Sequence, residues 1–190
     1  MSSEKAQVRK AYKLKRAALS NEEKERRSNA LFNQLLGWLE GWPSSKTVHM
    51  FFPIKKQGEV NTFPMLHWFW ENDWLVFGSI IDQDTGKMVS VRIPPETQFV
   101  EDAWGIPIPQ AVKRVPFEKF DLILVPLLAY DEEGWRIGFG KGYYDQYLSE
   151  LDFQPVKVGL SFFDPEKSLE HESHDIPLDY CITPEKVIRF

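Results

Sequence analysis

Apolar residues recur along this 190-residue chain in two rhythms. The first is helical. Across residues 3–19, Val8, Tyr12 and the stem of Lys15 share a face, which predicts a helix. Ser20 then offers an N-cap, and Glu23 three residues later completes a capping box. Leu31, Leu35 and Trp38 carry a second helix to about Leu39. After the turn GWPSSK the rhythm changes to short apolar runs. Residues 47–52 read as a buried strand, 62–71 as a helix, 74–81 as a strand and 88–93 as a further strand.

WGIPIP, residues 104–109, contains two prolines that remove backbone donors, so it is expected as an extended loop. DLILV, residues 121–125, is continuously apolar and ends at Pro126, as expected of a strand buried on both faces. A loop over 130–140, a helix over 142–151 and a buried strand over 156–161 follow. Strands alternating with helices predict an α/β fold, a three-layer α/β/α sandwich with a mostly parallel (mixed) sheet, Rossmann-like in plan. No repeat, low-complexity run or long linker divides the chain, so residues 1–190 are expected to form one domain.

Composition narrows the field. Hydrophobic residues make up 43% and charged residues 27%, ordinary for a globular protein. The first residues have no apolar signal region and carry acids, and the longest apolar run is broken at Pro126, so a cytoplasmic protein without membrane contact is expected. A single cysteine, Cys181, excludes an internal disulfide, and no positioned base marks it as a nucleophile. The net charge of −5 argues against nucleic acid as a partner. It leaves room for small anions, which need only a local basic cluster. Residues 5–16 hold six bases and no acid, a pattern that by itself reads as a solvated helix face. The four histidines lack a zinc-binding arrangement.

The densest chemistry lies in RIGFGKGYYD, residues 136–145. Gly138, Gly140 and Gly142 allow positive φ and close approach of a ligand. GxGxG matches neither common phosphate fingerprint, and a glycine cluster before a helix is usually a turn. Here, however, Arg136, Lys141, Tyr143, Tyr144 and Asp145 fall within ten residues, shortly after the strongest strand and at the carboxyl edge where α/β sheets bind ligands. Lys141 and Arg136 supply charge for a phosphate. Asp145 complements the following helix dipole or helps hold a phosphate-bound magnesium ion.

RIGFGKGYYD, preceded by DLILVPLLAYDEEGW, resembles the signature region of the 5-formyltetrahydrofolate cyclo-ligases. Lys5-x-x-x-Arg9, FFPIKKQGEVNT, WGIPIP and HDIPLD resemble further segments of that family, in the same order. The resemblance implies ATP- and Mg²⁺-dependent conversion of 5-formyltetrahydrofolate to 5,10-methenyltetrahydrofolate, with release of ADP and phosphate. It implies a monomer whose partners are small molecules. Lys141 and Arg136 become the catalytic candidates. Lys5, Arg9, Arg136, Gly138, Phe139, Gly140, Lys141, Gly142, Tyr144 and Asp145 become the ATP-binding set. Phe52, Glu59, Trp104 and Tyr143 become the folate contacts, with Glu59 on the amino-pyrimidine edge and aromatic faces on the pterin ring. Asp145 and Asp175 become the metal ligands. The sequence departs from relatives at Phe139, where some carry arginine, at Gln146, where arginine is common, and at Ile108, where an acid is common. A non-catalytic folate or nucleotide binder, or a sugar-phosphate isomerase, would use the same loop without ATP turnover.

Overall fold

The computed structural model describes residues 3–42, 46–101, 105–113 and 119–190. In chain order the elements begin with helices α1 Glu4–Ala18 and α2 Asn21–Leu39, then strand β1 Thr47–His49 and a 3₁₀ turn, Lys55–Gln57. Helix α3 Phe63–Glu71 precedes strands β2 Leu75–Ile81, β3 Met88–Arg92, β4 Phe99–Glu101, β5 Pro107–Pro109, β6 Leu122–Pro126, β7 Ala129–Tyr130 and β8 Arg136–Ile137. Helix α4 Tyr143–Ser149 and strands β9 Val156–Leu160, β10 Tyr180–Ile182 and β11 Val187–Arg189 complete the chain. The helical starts follow their caps. The Ser3 hydroxyl accepts from the Ala6 N–H, and the Ser20 hydroxyl accepts from the Glu23 N–H.

Seven strands form one sheet in the order β11-β10-β9-β6-β1-β2-β3. The inner pairs are parallel, while β3 and β11 close the edges antiparallel to β2 and β10. Alternate residues feed two cores, as the two-residue period of a strand requires. Val48, Val76, Leu122, Leu124, Val158 and Leu160 face α2 and α3. Phe77, Ile123, Val125 and Cys181 face the opposite way, against Tyr147 and Leu148 of α4. The result is the expected α/β/α layering around a mostly parallel sheet. All four residues of 122–125 are fully buried, which explains their continuous apolar run. Each contributes about 1.5–3 kcal/mol relative to exposure.

The chain order creates a crevice. From β1 it runs outward through β2 and β3, then returns to pair β6 with β1 from the other side. The carboxyl ends of β1 and β6 therefore flank a topological switch point, where such sheets bind ligands. α1 packs across this edge through Tyr12, against Leu128, Ala129 and Ile137.

Three expectations need correction. The helix predicted over 142–151 is shorter, Tyr143–Ser149. Residues 107–109 are not a free loop: they pair antiparallel with Phe99–Glu101, in a two-stranded ribbon where the prolines sit opposite Phe99 and Glu101 and break no central ladder. The expected loop over 130–140 contains a β7–β8 hairpin. Asp131 organises that hairpin. Its buried carboxylate accepts from the backbone N–H groups of Glu133, Trp135 and Leu169.

His49 is fully buried between Phe120 and Tyr147, with Nε2 2.8 Å from the Ser79 hydroxyl. Burial pushes its pKa down to about 3. The unfolded chain protonates this ring near pH 6.5 while the native state keeps it neutral. Stability therefore falls as pH drops from about 6.5 towards 3, by up to about 1.4 kcal/mol per pH unit. Thermal melts should show a smaller midpoint loss between pH 7 and 5 in His49→Asn than in the wild type. Equal losses would show that His49 is not the neutral buried ring described.

Candidate active site

The glycine loop lies beyond β8, and α1 folds back over it. The Arg9 Nε–H donates to the Gly138 carbonyl at 3.1 Å. Gly140 adopts φ +96°, and a Cβ there would approach the Arg9 guanidinium to 3.3 Å. Gly142, at φ +69°, caps α4. Both conformations favour glycine. Among the described residues, the backbone N–H groups of 138–142 are paired with no acceptor. Lys141 projects outward, exposed and without an ion pair among the described residues. The loop thus presents free donors and a mobile cation on one rim.

Arg136 is used differently. Its guanidinium is almost wholly buried, donates to Asp145 at 2.9 Å and also bonds the Ile176 carbonyl. The same Asp145 oxygen accepts from the Ile176 N–H at 3.1 Å. Arg136 and Asp145 thereby lock α4 to the segment around Ile176. Lys5 reaches that segment from α1, 2.7 Å from Asp175 and 3.1 Å from Glu172. Burial opposes the charge on Lys5, but the hydrogen bonds to Asp175 and Glu172 hold its pKa above the ordinary value. Burial also opposes the charge on Asp175, and its bond with Lys5 holds it below the usual carboxylate range. Lys5, Arg9, Arg136, Asp145 and Asp175 therefore converge around the glycine loop.

The donors for a metal are sparse. Among the described residues, no three His, Cys, Asp or Glu side chains surround a common point. Asp145 has one oxygen engaged by Arg136 and Ile176, and its other oxygen has no protein partner among the described residues. Such a set does not form a resident cage. It does fit magnesium carried by a nucleotide, which takes one or two carboxylates besides phosphate oxygens.

On the far side of the crevice, Glu59 follows the 3₁₀ turn and accepts the Ile54 N–H at 2.8 Å. Burial pushes its pKa up to about 7. Of the two tyrosines, Tyr144 feels the Glu59 charge, while Tyr143 is turned outward. Burial and Glu59 both raise the Tyr144 pKa. Phe52 is buried in an aromatic cluster, stacked on Phe63 and edge-on to Phe99, so protein already covers much of its ring. Trp104 lies outside the described residues, but the adjoining Gly105 abuts the Lys56 side chain, which brings the β4–β5 ribbon beside the Glu59 loop.

Phe139 now has a structural account. Its ring lies 5.7 Å from the Arg16 guanidinium and 6.0 Å from the Lys13 ammonium. An aromatic face suits a position between two cations, where another arginine would add like charge. His171 is not a metal ligand in this arrangement, since it stacks on Trp135 at 3.8 Å. Cys181 is fully buried, and burial raises its thiol pKa, in keeping with an inert residue. Sequence reasoning missed Asp131, which shapes the hairpin, and Arg16, which enters the crevice itself.

Fold and site define an α/β protein with a glycine loop and clustered cations beside a topological switch point. The family model for the 5-formyltetrahydrofolate cyclo-ligase family matches residues 1–184. A 5-formyltetrahydrofolate cyclo-ligase of Mycoplasma pneumoniae is 28% identical, over 96% of this chain and 99% of its own. One of Escherichia coli K12 is 31% identical, over 68% of this chain and 74% of its own. The solution structure of Aquifex aeolicus 5,10-methenyltetrahydrofolate synthetase superposes with a TM-score of 0.80 at 31% identity, covering 98% of this chain and 93% of that one. The chain belongs to the 5-formyltetrahydrofolate cyclo-ligase family, and it is an enzyme of the ring-closing ligase type.

Proposed function

We propose that the protein converts 5-formyltetrahydrofolate to 5,10-methenyltetrahydrofolate with ATP as the phosphoryl donor. The observation that carries this is the fold-back of α1. Arg9 bonded to the Gly138 carbonyl brings a cation onto the glycine loop, and Lys5 bonded to Asp175 holds a second on the segment around Ile176, to which Arg136 and Asp145 tie α4. Glu59 lies close enough to Tyr144 of α4 for its charge to raise the tyrosine pKa.

The chemistry explains the need for such a cluster. A formamide oxygen is a poor leaving group, so closure by N10 alone would expel oxide or hydroxide. Attack of that oxygen on the γ-phosphorus releases ADP and leaves the formyl oxygen phosphorylated, which activates its carbon. N10 then attacks this carbon, the C–O bond breaks, phosphate departs and N10 loses its proton. The protein must align donor with acceptor and neutralise the moving charge. Lys141 and the N–H groups of 138–142 stabilise the transferring phosphoryl group. Lys5 and Arg9 hold the other phosphates. Arg136 fixes Asp145. Asp145 and Asp175 would hold magnesium, whose charge neutralises the phosphate oxygens when bound. Glu59 and Tyr144 orient the pterin, with Phe52 supporting that wall from behind.

The test is spectroscopic. Purified protein with 5-formyltetrahydrofolate, ATP and Mg²⁺ should generate the near-ultraviolet band of the methenyl product. The band should not appear when ATP is omitted or when EDTA is in excess. Product formation without ATP would exclude the phosphoryl mechanism, and no product at high enzyme concentration would exclude the activity.

A further inference from the structure

Arg16 stands apart from the other bases of α1. Only 3% of its surface is exposed, whereas its neighbours in sequence, Lys15 and Ala17, lie outside. One nitrogen of its guanidinium donates to the Leu127 carbonyl, just past the end of β6. The other two, Nε and Nη1, are buried and have no hydrogen-bond partner among the described residues. Phe139 lies 5.7 Å and Phe162 6.0 Å from the guanidinium carbon, which confines the plane of the group. Unpartnered buried donors on a charged group are costly, by about 1–3 kcal/mol or more, so such an arrangement calls for a function.

The donors border a narrow seam lined by Phe51, Glu59, Val60, Pro126, Leu127 and Leu160. The seam lies where the carboxyl ends of β1, β6 and β9 meet. It is too narrow to admit a water molecule. Among the described residues no protein acceptor satisfies the free N–H groups, and the acidic side chain lining the seam is Glu59. One Glu59 oxygen is taken by the Ile54 N–H.

We infer that Arg16 is a positioning residue: its guanidinium, held on the seam that Glu59 also lines, fixes the Glu59 carboxylate in place for the folate ring. This rests on the reading of Glu59 as the pterin contact. The electrostatics agree. Arg16 pulls the Glu59 pKa down against the larger effect of burial, and Glu59 supports the charge on Arg16 against burial in turn. The other groups near Glu59 are the Tyr144 hydroxyl from α4, the Lys55 and Lys56 side chains of its own loop, and Lys24 of α2 against Gly58. Arg16 is the cation among them that acts from inside.

The experiment follows kcat/KM for 5-formyltetrahydrofolate against pH. Protonated Glu59 cannot accept two donors from the ring, so the wild type should show an acidic limb near pH 7. Removing an opposite charge raises a carboxylate pKa by about 1–3 units. Arg16→Gln should therefore move the limb to higher pH by about one unit or more, with the KM for ATP unchanged. Arg16→Lys, which keeps the charge, should return the limb towards its wild-type position. Arg16→Met fills the same volume and carries the comparison should the glutamine variant not fold. In a Glu59→Gln background, Arg16→Gln should add little further loss in folate KM, because the partner through which it acts is gone. A limb that survives Glu59→Gln would overturn the Glu59 reading and this inference with it. A limb lost in Glu59→Gln but unmoved in both Arg16→Gln and Arg16→Met would overturn the role of Arg16 alone.

Discussion

Lys141→Ala should lower turnover of 5-formyltetrahydrofolate by about 10²- to 10³-fold, the usual cost of removing one donor to the charge that develops in the transition state. The thermal midpoint should stay near the wild-type value. The two outcomes separate because of how the loop is built. Lys141 is exposed and makes no ion pair among the described residues, so its truncation strands nothing. Surface substitutions of that kind change stability by about 0.5 kcal/mol or less. The loop conformation is carried instead by Gly140, Gly142 and the Arg9 bond to Gly138. Arg136 cannot supply the same test. It is buried against Asp145, and its removal would leave a carboxylate unpaired and loosen α4 from Ile176. Single-turnover measurement on Lys141→Ala at saturating ATP distinguishes lost chemistry from lost binding. Full activity in a folded Lys141→Ala protein would remove the loop from the phosphoryl step.

Much of the sheet was legible because it is buried on both faces. A strand such as Leu122–Pro126 must be apolar throughout when α2 and α3 cover one side and α4 the other. The short strands were not legible. Phe99–Glu101 and Pro107–Pro109 hold each other, and Tyr180–Ile182 pairs with Val156–Leu160, so their structure depends on partners remote in sequence. The glycine loop was legible as a cluster of chemistry. Its division of labour was not, because nothing in RIGFGKGYYD distinguishes the buried Arg136 from the exposed Lys141.

Arg16 shows where a signal existed. The six bases of residues 5–16 read together as a solvated face. Yet Val8 and Tyr12 had already defined the inward face of α1, and one further turn of the same period arrives at Arg16. Phe139 points to the same place. Its ring lies 5.7 Å from the Arg16 guanidinium, an aromatic face over a buried cation.

Glu59→Gln should weaken folate binding and stabilise the ligand-free protein at once. The binding loss follows from chemistry. A carboxylate accepts two N–H donors from an amino-pyrimidine edge, and hydrogen bonds to a charged group contribute about 1.5–3 kcal/mol each. The folate KM should therefore rise by about 10²-fold or more. The stability gain follows from burial, which lifts the Glu59 pKa from 4.5 to about 7. The native state then binds this proton more tightly than the unfolded chain. Stability consequently declines as pH rises between about 4.5 and 7, and the deficit is full above 7, on the order of 3 kcal/mol at most. Glutamine keeps an oxygen for the Ile54 N–H and carries no charge. The variant should melt several degrees above the wild type at pH 8 and close to it at pH 4.5. The preference should reverse in saturating 5-formyltetrahydrofolate, which stabilises only a protein that binds it. Equal melting at pH 8 would show that Glu59 is solvated in the free enzyme, and an unchanged folate KM would move the pterin contact elsewhere in the crevice.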